Sequence, residues 1–413
     1  MTVPAVPPNP ADPTDANALL AQIADIGRDP VRGGYSRHVF DPAELELRAW
    51  FQAKAAALDL NLVTDGNTVM WAWWGEPAEG AIGVGSHLDS VPGGGAFDGP
   101  LGVASALAVV ARWRATGYTP ARPFAIVVFP EEEGSRFGLA CLGSRLAAGA
   151  ADPFAARQLK DRDGVTLADA AAAAGFDPAG FGVAGSPLSH LSAFVELHVE
   201  QGRGLEDLGQ PVAIASAIIP HGRWRLEFEG ESNHAGTTLM ADRHDPVVAA
   251  AHAVLAVRQM AEAAPGARGT VGRLEVIPGG TNVIAGRCTL WLDVRAEAAD
   301  QVQQVVGGIE QAAAAAAQAE GCAFRLTEES DTAAVQFDPA LADRLAAVLP
   351  KAPRLSTGAG HDAGVLAAVL PTAMLFVRNP TGLSHGPSEH SRPADVEAGV
   401  AALDAVLRSL TAG

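Results

Sequence analysis

The sequence predicts an α/β protein, with a larger domain built on a doubly wound mixed sheet and a smaller α+β domain inserted in it. Three observations lead there. The chain has 413 residues, too many for one small domain and few for three, so two domains with sizeable cores are expected. Short apolar runs at 81–86, 124–129, 194–199 and 373–377 end abruptly in polar or glycine-rich residues, with helical stretches such as 102–116 between them. Strands covered on both faces read this way, and ligands gather where such strands end. In the middle of the chain the continuous runs give way to alternation of polar and apolar residues, the mark of a sheet with one open face.

Taken in order, residues 1–16 are rich in proline and aspartate and are expected to be disordered. Residues 17–29 and 42–59 carry apolar side chains at helical spacing, among them Leu45, Leu47, Trp50 and Phe51. Trp71-Ala72-Trp73-Trp74 is expected to pack a strand or hairpin, and the alanine run 170–174 to form a short helix or loop cover. Alternating segments at 223–229 and 289–295, a helix at 246–263, a strand at 270–276 and an alanine-rich helix at 301–319 complete a unit the size of a small domain. The expected division is 17–215 with 334–413 for the larger domain and 216–333 for the insertion.

The formal net charge of −18, from 47 acidic and 29 basic residues, repels phosphate backbones and anionic membrane surfaces, so neither nucleic acid nor membrane is an expected partner. Cys141, Cys288 and Cys322 lie far apart, which gives no disulfide framework and fits a reducing compartment. The opening residues have neither the basic start nor the apolar stretch of a secretory signal, and no run reaches the roughly 18 apolar residues of a membrane span. A cytoplasmic protein is expected.

His87, Asp89 and Asp98 follow the first buried run, separated by Gly93-Gly94-Gly95. A histidine and an aspartate two apart share one side of an extended strand, so Asp89 is placed to hold one imidazole nitrogen of His87 while the other binds metal. The glycines lack the lysine of a nucleotide loop and the spacing of a dinucleotide fingerprint. Their better use is to fold the chain back so that Asp98 reaches a metal beside His87. Glu131-Glu132-Glu133-Gly134 follows the run 124–129. An acidic triplet is ordinarily a solvated charge run, but at the tip of a buried strand three carboxylates repel one another unless cations neutralise them.

His198, His234 and His385 each sit in a short polar cluster beside apolar or glycine residues. Any one alone is more often a satisfied histidine than a ligand; with His87, Asp98 and the triplet they point to a metal site. Histidine and carboxylate without cysteine suit zinc, manganese or cobalt. Trp291, Asp293 and Arg295 share one face of an alternating strand, and Arg295 is either a bidentate clamp for a carboxylate or the partner of Asp293 or Glu275.

These motifs, in this order from about residue 20 to the C-terminus, resemble the M20 metallopeptidase superfamily, specifically its amidase branch of N-carbamoyl-L-amino acid hydrolases, allantoate amidohydrolases and beta-ureidopropionases. The resemblance implies two divalent metal ions per subunit, zinc or manganese/cobalt, with His87 and His198 on one, Glu133 and His385 on the other and Asp98 bridging. In the wider superfamily the acidic motif often opens Asp-Glu-Glu; here Glu131 takes the first place, Glu132 falls on the general base and Glu133 on the ligand. Gln201, His234, Asn282 and Arg295 are implied to line the substrate pocket, with His361 a lesser candidate in Gly360-His361-Asp362, where Asp362 serves equally well as a helix cap. The inserted domain is implied to be lid and homodimer interface, with His234 able to act across the dimer.

The expected activity is hydrolysis of a ureido C–N bond in a small molecule. Glu132 would move the proton of an attacking water whose pKa the ions lower, with Asp89 orienting His87 and His234 stabilising the oxyanion. An N-carbamoyl-L-amino acid is the first expected substrate and allantoate the second. By resemblance, histidine rather than a carboxylate at position 198 favours the amidase branch over an N-acyl-amino-acid deacylase or peptidase. A catalytically silent metal-binding relative would be expected to lack Glu132 or a ligand.

Overall fold

The computed structural model describes residues 12–412. The described residues cluster into two compact units, one of 12–217 with 336–412 and a second of Ile218–Val335. In chain order the strands are β1 (Asn61–Thr64), β2 (Met70–Trp74), β3 (Ala81–His87), β4 (Phe124–Phe129), β5 (Leu191–Val199) and β6 (Val212–Ile218). There follow β7 (His221–Glu229), β8 (Asn233–His234), β9 (Arg268–Ile277), β10 (Val283–Ile284), β11 (Arg287–Arg295) and β12 (Ala323–Thr332). The last are β13 (Val335–Gln336), β14 (Arg354–Thr357) and β15 (Thr372–Val377).

Among the described residues, nine strands form one mixed sheet in the order β1-β2-β4-β3-β5-β15-β6-β13, with β14 against β6. Its centre, β4-β3-β5-β15, is parallel, while β1–β2, β2–β4 and β15–β6 are antiparallel. The four parallel strands are the four apolar runs of the sequence, and nearly every residue in them is buried. That follows from helices on both faces, which leave few positions for a polar side chain except at the strand ends. The chain goes from β3 to β4 on one side and later to β5 on the other, so the ends of these strands border the place where strand order reverses.

The long helix Pro100–Thr116 starts with proline at its first turn, stops at left-handed Gly117 and is buried along most of its length. Leu107, Val110 and Trp113 from it join Phe51, Val84, Ile126, Val195, Leu375 and Leu403 in the main core. Trp71 and Trp73 stack in this unit with ring centroids 5.8 Å apart, a packing role as expected for that cluster.

In the second unit the sheet order is β12-β7-β11-β9, with antiparallel neighbours throughout. Trp224, Leu226 and Phe228 alternate inward along β7 and meet Leu290, Leu292 and Val294 of β11. Ala249 and Ala253 from the helix Pro246–Ala263, with Val302, Val305 and Ile309 from Ala299–Ala319, close that face. No helix of the described residues is long and apolar enough to cross a membrane.

Three expectations need correcting. Of the segment 1–16, residues 1–11 lie outside the described residues, but Asp12–Asp15 forms an ordered turn: Asp12 accepts from the Thr14 N–H and hydroxyl, and Asp15 caps a helix that begins at buried Ala16. The helix expected over 17–29 ends at Gln22, because buried Arg37 takes the Ile23 and Ile26 carbonyls and Gly27 turns the chain. The second unit holds a further strand, β12, that alternation did not reveal. It is an edge strand rich in Glu and Asp, and charges on an edge guard it against pairing with other chains.

Candidate metal centre

The ends of the four parallel strands supply the chemistry. His87 is the last residue of β3, the acidic triplet follows β4, His198 lies one residue before the end of β5, and the loop after β15 carries Ser384 and His385. The His87 and His198 rings stack 5.8 Å apart and are fully buried. Asp98 Oδ1 stands 3.1 Å from His198 Nε2 and 3.6 Å from His87 Nε2. On its other side Asp98 Oδ2 is 3.5 Å from His385 Nε2, which is 3.3 Å from Glu133 Oε2. Of three donor groups whose atoms lie within 4.8 Å of one another among the described residues, two share Asp98, His87–Asp98–His198 and Asp98–Glu133–His385, and the third is Glu196–His198–His361. The approach of Asp98 depends on Gly99, whose φ is +84° and whose added Cβ would lie 2.6 Å from the His87 ring.

These residues fit divalent ions. Both imidazoles are held through Nδ1, His87 by the Asp89 main-chain carbonyl at 3.0 Å and His198 by the Val199 carbonyl at 2.9 Å. This places the proton on Nδ1 and turns the lone pair of each Nε2 toward Asp98. Neither Nε2 makes a hydrogen bond, although both are buried, and orphaned buried lone pairs converging on a carboxylate mark a cation position. The charges agree. Burial opposes charge on His87, yet Glu132, Asp89 and Asp98 overcome it and raise its pKa well above the ordinary value. Burial alone would raise the Asp98 carboxyl, and the His198 and His87 imidazoles outweigh it and hold it well below the usual range. Burial, then the negative charge of Asp98, raises Glu133. The cluster demands positive charge. Its nitrogen and oxygen donors suit zinc, manganese or cobalt.

Asp89 holds His87 differently from the expectation. Its carboxylate is 3.6 Å from His87 Nδ1 and instead accepts the main-chain N–H groups of Glu132 at 3.2 Å and Glu133 at 3.1 Å. The side chain therefore fixes the acidic triplet while the main chain fixes the imidazole. Asp89 lies past the end of β3, where the two-residue alternation used to place it no longer applies.

The triplet divides its work. Glu131 turns away, accepting the N–H groups of Arg136 and Phe137 at 3.0 and 2.7 Å, and burial pushes its carboxyl up to about 8. Glu132 is buried with Oε2 3.8 Å from His87 Nε2, while Oε1 accepts the Cys141 thiol at 3.3 Å. Burial raises it well above the ordinary value, with His87 opposing. Only Glu133 enters a donor group.

Other expected residues fall as follows. Gln201 Nε2 donates to Asp98 Oδ2 at 2.9 Å and lies 3.4 Å from His385 Nε2. His361 packs behind His198, ring centroids 4.5 Å apart, and burial, reinforced by His198, lowers its pKa. In the second unit, His234 on β8 is exposed, and its Nδ1 accepts the Gly236 N–H at 3.0 Å, which leaves Nε2 as the donor. Asn282 is its neighbour, its carbonyl accepting the Ala235 N–H at 3.0 Å. Arg295 makes a bidentate pair with Asp293, at 2.8 and 3.0 Å.

Sequence reasoning missed Glu196, Cys141, Ser384 and Glu389. Buried Glu196 accepts the Ser86 hydroxyl at 2.8 Å and the Ala363 N–H at 2.9 Å. It stands two residues before His198 in the apolar run 194–199, a signal that could have found it. Glu389 accepts the Phe97 and Asp98 N–H groups, both at 3.0 Å. Nothing local distinguishes it from a solvated loop acid.

Comparison with known proteins gives the family. Residues 83–409 match the model of peptidase family M20/M25/M40. An N-carbamoyl-L-amino acid amidohydrolase from Geobacillus stearothermophilus is 35% identical over 93% of this chain and 95% of its own. An allantoate amidohydrolase from Escherichia coli is 32% identical over 95% of this chain and 96% of its own. The crystal structure of an amidase of the hydantoinase/carbamoylase family from Burkholderia vietnamiensis, 29% identical, superposes with a TM-score of 0.85 over 98% of this chain and all of that one. The chain belongs to peptidase family M20, within its amidase branch, and is a hydrolase.

Proposed function

We propose that this protein is a two-ion amidohydrolase that cleaves the ureido C–N bond of an N-carbamoyl-L-amino acid, giving the amino acid, ammonia and carbon dioxide. The observation that carries the reading is the pair of donor groups sharing Asp98, with the buried carboxylate of Glu132 beside them. His87, His198 and Asp98 would hold one ion, and Glu133, His385 and Asp98 the other. Bound there, the ions would supply Lewis acidity to the carbamoyl oxygen and lower the pKa of water near neutrality.

The chain supplies the rest. Glu132 accepts a proton from the attacking water and returns it to the leaving nitrogen, as its raised proton affinity suits. The thiol on Oε1 leaves Oε2 as its working oxygen. Water adds to the carbamoyl carbon, the C–N bond to the amino acid breaks, and the carbamate released decomposes to ammonia and carbon dioxide. His234, donating from Nε2, stabilises the developing oxyanion. Gln201, Asn282 and Arg295 orient the substrate, with Arg295 exchanging Asp293 for the substrate carboxylate, and His361 supports the pocket from behind His198. In this reading the second unit is a lid that excludes water and the interface of a cytoplasmic homodimer. Relatives named for N-carbamoyl-L-amino acids and for allantoate leave two ureido acids in competition, and pocket shape decides between them.

The test is hydrolysis by purified protein stripped of metal and reloaded singly with zinc, manganese or cobalt, followed as ammonia release for N-carbamoyl-L-amino acids and allantoate and as free amino acid released for N-acyl amino acids and dipeptides. Fastest turnover of an N-carbamoyl-L-amino acid is expected. Fastest turnover of allantoate moves the substrate assignment, and hydrolysis confined to N-acyl amino acids or dipeptides overturns the ureido reading.

A further inference from the structure

Glu389 is a buried carboxylate, 4% exposed, that the chemistry above does not use. Its Oε1 accepts the main-chain N–H groups of Phe97 and of Asp98 itself, both at 3.0 Å and both from residues more than 290 positions away. Its Oε2 accepts the Ser384 hydroxyl at 3.3 Å, and the same hydroxyl is 3.3 Å from Asp98 Oδ2. Ser384 immediately precedes His385. The contact is close enough to dictate a third residue, since an added Cβ at Gly95 would lie 2.1 Å from Glu389 Oε1. One side chain thus ties the loop of the shared aspartate to the loop of His385. It makes no such bond to His87 or His198, whose rings are fixed by the carbonyls of Asp89 and Val199.

We infer that Glu389 is a positioning residue that sets the gap between Asp98 and His385, and so governs uptake of the ion held by Asp98, Glu133 and His385 while leaving the other ion nearly untouched. The inference rests on the two-ion reading above. A carboxylate in this place orients Asp98 through its own N–H and the His385 loop through Ser384. Partners of this kind behind metal ligands are typically worth about 10- to 100-fold in metal affinity. A merely structural residue would instead weaken both ions together or neither.

The experiment is calorimetric titration of the chelator-stripped chain with zinc, alongside thermal denaturation. Wild type is expected to take up two ions. Glu389→Ala should keep one with its affinity within about threefold and bind the second at least about 10-fold more weakly. Glu389→Gln, which retains an acceptor for the two N–H groups, should recover most of that loss. The cobalt-loaded wild type should show magnetic coupling of an ion pair, which Glu389→Ala loses at stoichiometric cobalt. Equal weakening of both ions, or two ions bound as in wild type, overturns the inference while leaving the two-ion reading intact. A wild type that takes up a single ion overturns both. Should Glu389→Ala fail to fold, Ser384→Ala decides: a selectively weaker second ion supports the inference, and wild-type titration overturns it.

Discussion

The two halves of the donor cluster are built on different supports. His87 and His198 stand at the ends of central parallel strands, fully buried, each ring fixed by a main-chain carbonyl. His385 stands on a loop, in a left-handed conformation with φ of +55°, and its side chain is 51% exposed. A ligand at a strand end is ordered by the sheet before any ion arrives, whereas a loop ligand must be held by its neighbours. The difference teaches that one centre can join a preorganised half to an adaptable one, with Asp98 shared between them. Ions in the two halves should therefore exchange at different rates.

The largest effect is expected at Glu132, on the buried side. Glu132→Gln should lower turnover by about 100- to 10,000-fold, the range for a positioned acid/base group, with ion content unchanged by elemental analysis. Turnover near wild type would remove the base from that half. Next come the proposed ligands: His385→Ala should lose at least about 100-fold in affinity for one ion, above the usual cost of an outer partner, and regain part of its activity in excess metal. His198→Ala should not be rescued in this way. Chelation of wild type sharpens the comparison further, with release of metal expected in two phases as followed by a colorimetric indicator. A single phase would break it.

The smallest effect is expected behind the buried half. Ser86→Ala removes the hydroxyl donated to Glu196 and leaves a buried carboxylate oxygen without that partner. A loss of about 1–3 kcal/mol in chemical denaturation is expected, with turnover little changed.

How much of this was legible in the sequence follows from the same contrast. The four parallel strands were readable because burial on both faces allows almost no polar residue, and the candidate ligands stood out where those runs stopped. The edge strand β12 was not, since its charges answer to solvent and neighbouring chains rather than to a core. The true task of the Asp89 side chain, holding the N–H groups of Glu132 and Glu133, depends on how two strand ends meet, which spacing along one strand does not contain. Glu389 was invisible for a similar reason: its partners are Phe97 and Asp98, at the opposite end of the sequence. The pairing of Arg295 with Asp293 is visible only in the coordinates, because the sequence offered Glu275 as a partner equally well.

The place of β15 between β5 and β6 has a consequence for synthesis. A ribosome delivers His87, Asp98, Glu133 and His198 long before β15, because the whole second unit is translated in between. Until β15 emerges, one edge of the apolar strand β5 has no neighbour from its own chain, and a bare edge of that kind templates pairing between nascent molecules. A transcript truncated just after the second unit should thus yield aggregates rather than a half-loaded enzyme, and slow elongation through that unit should lengthen dependence on chaperones.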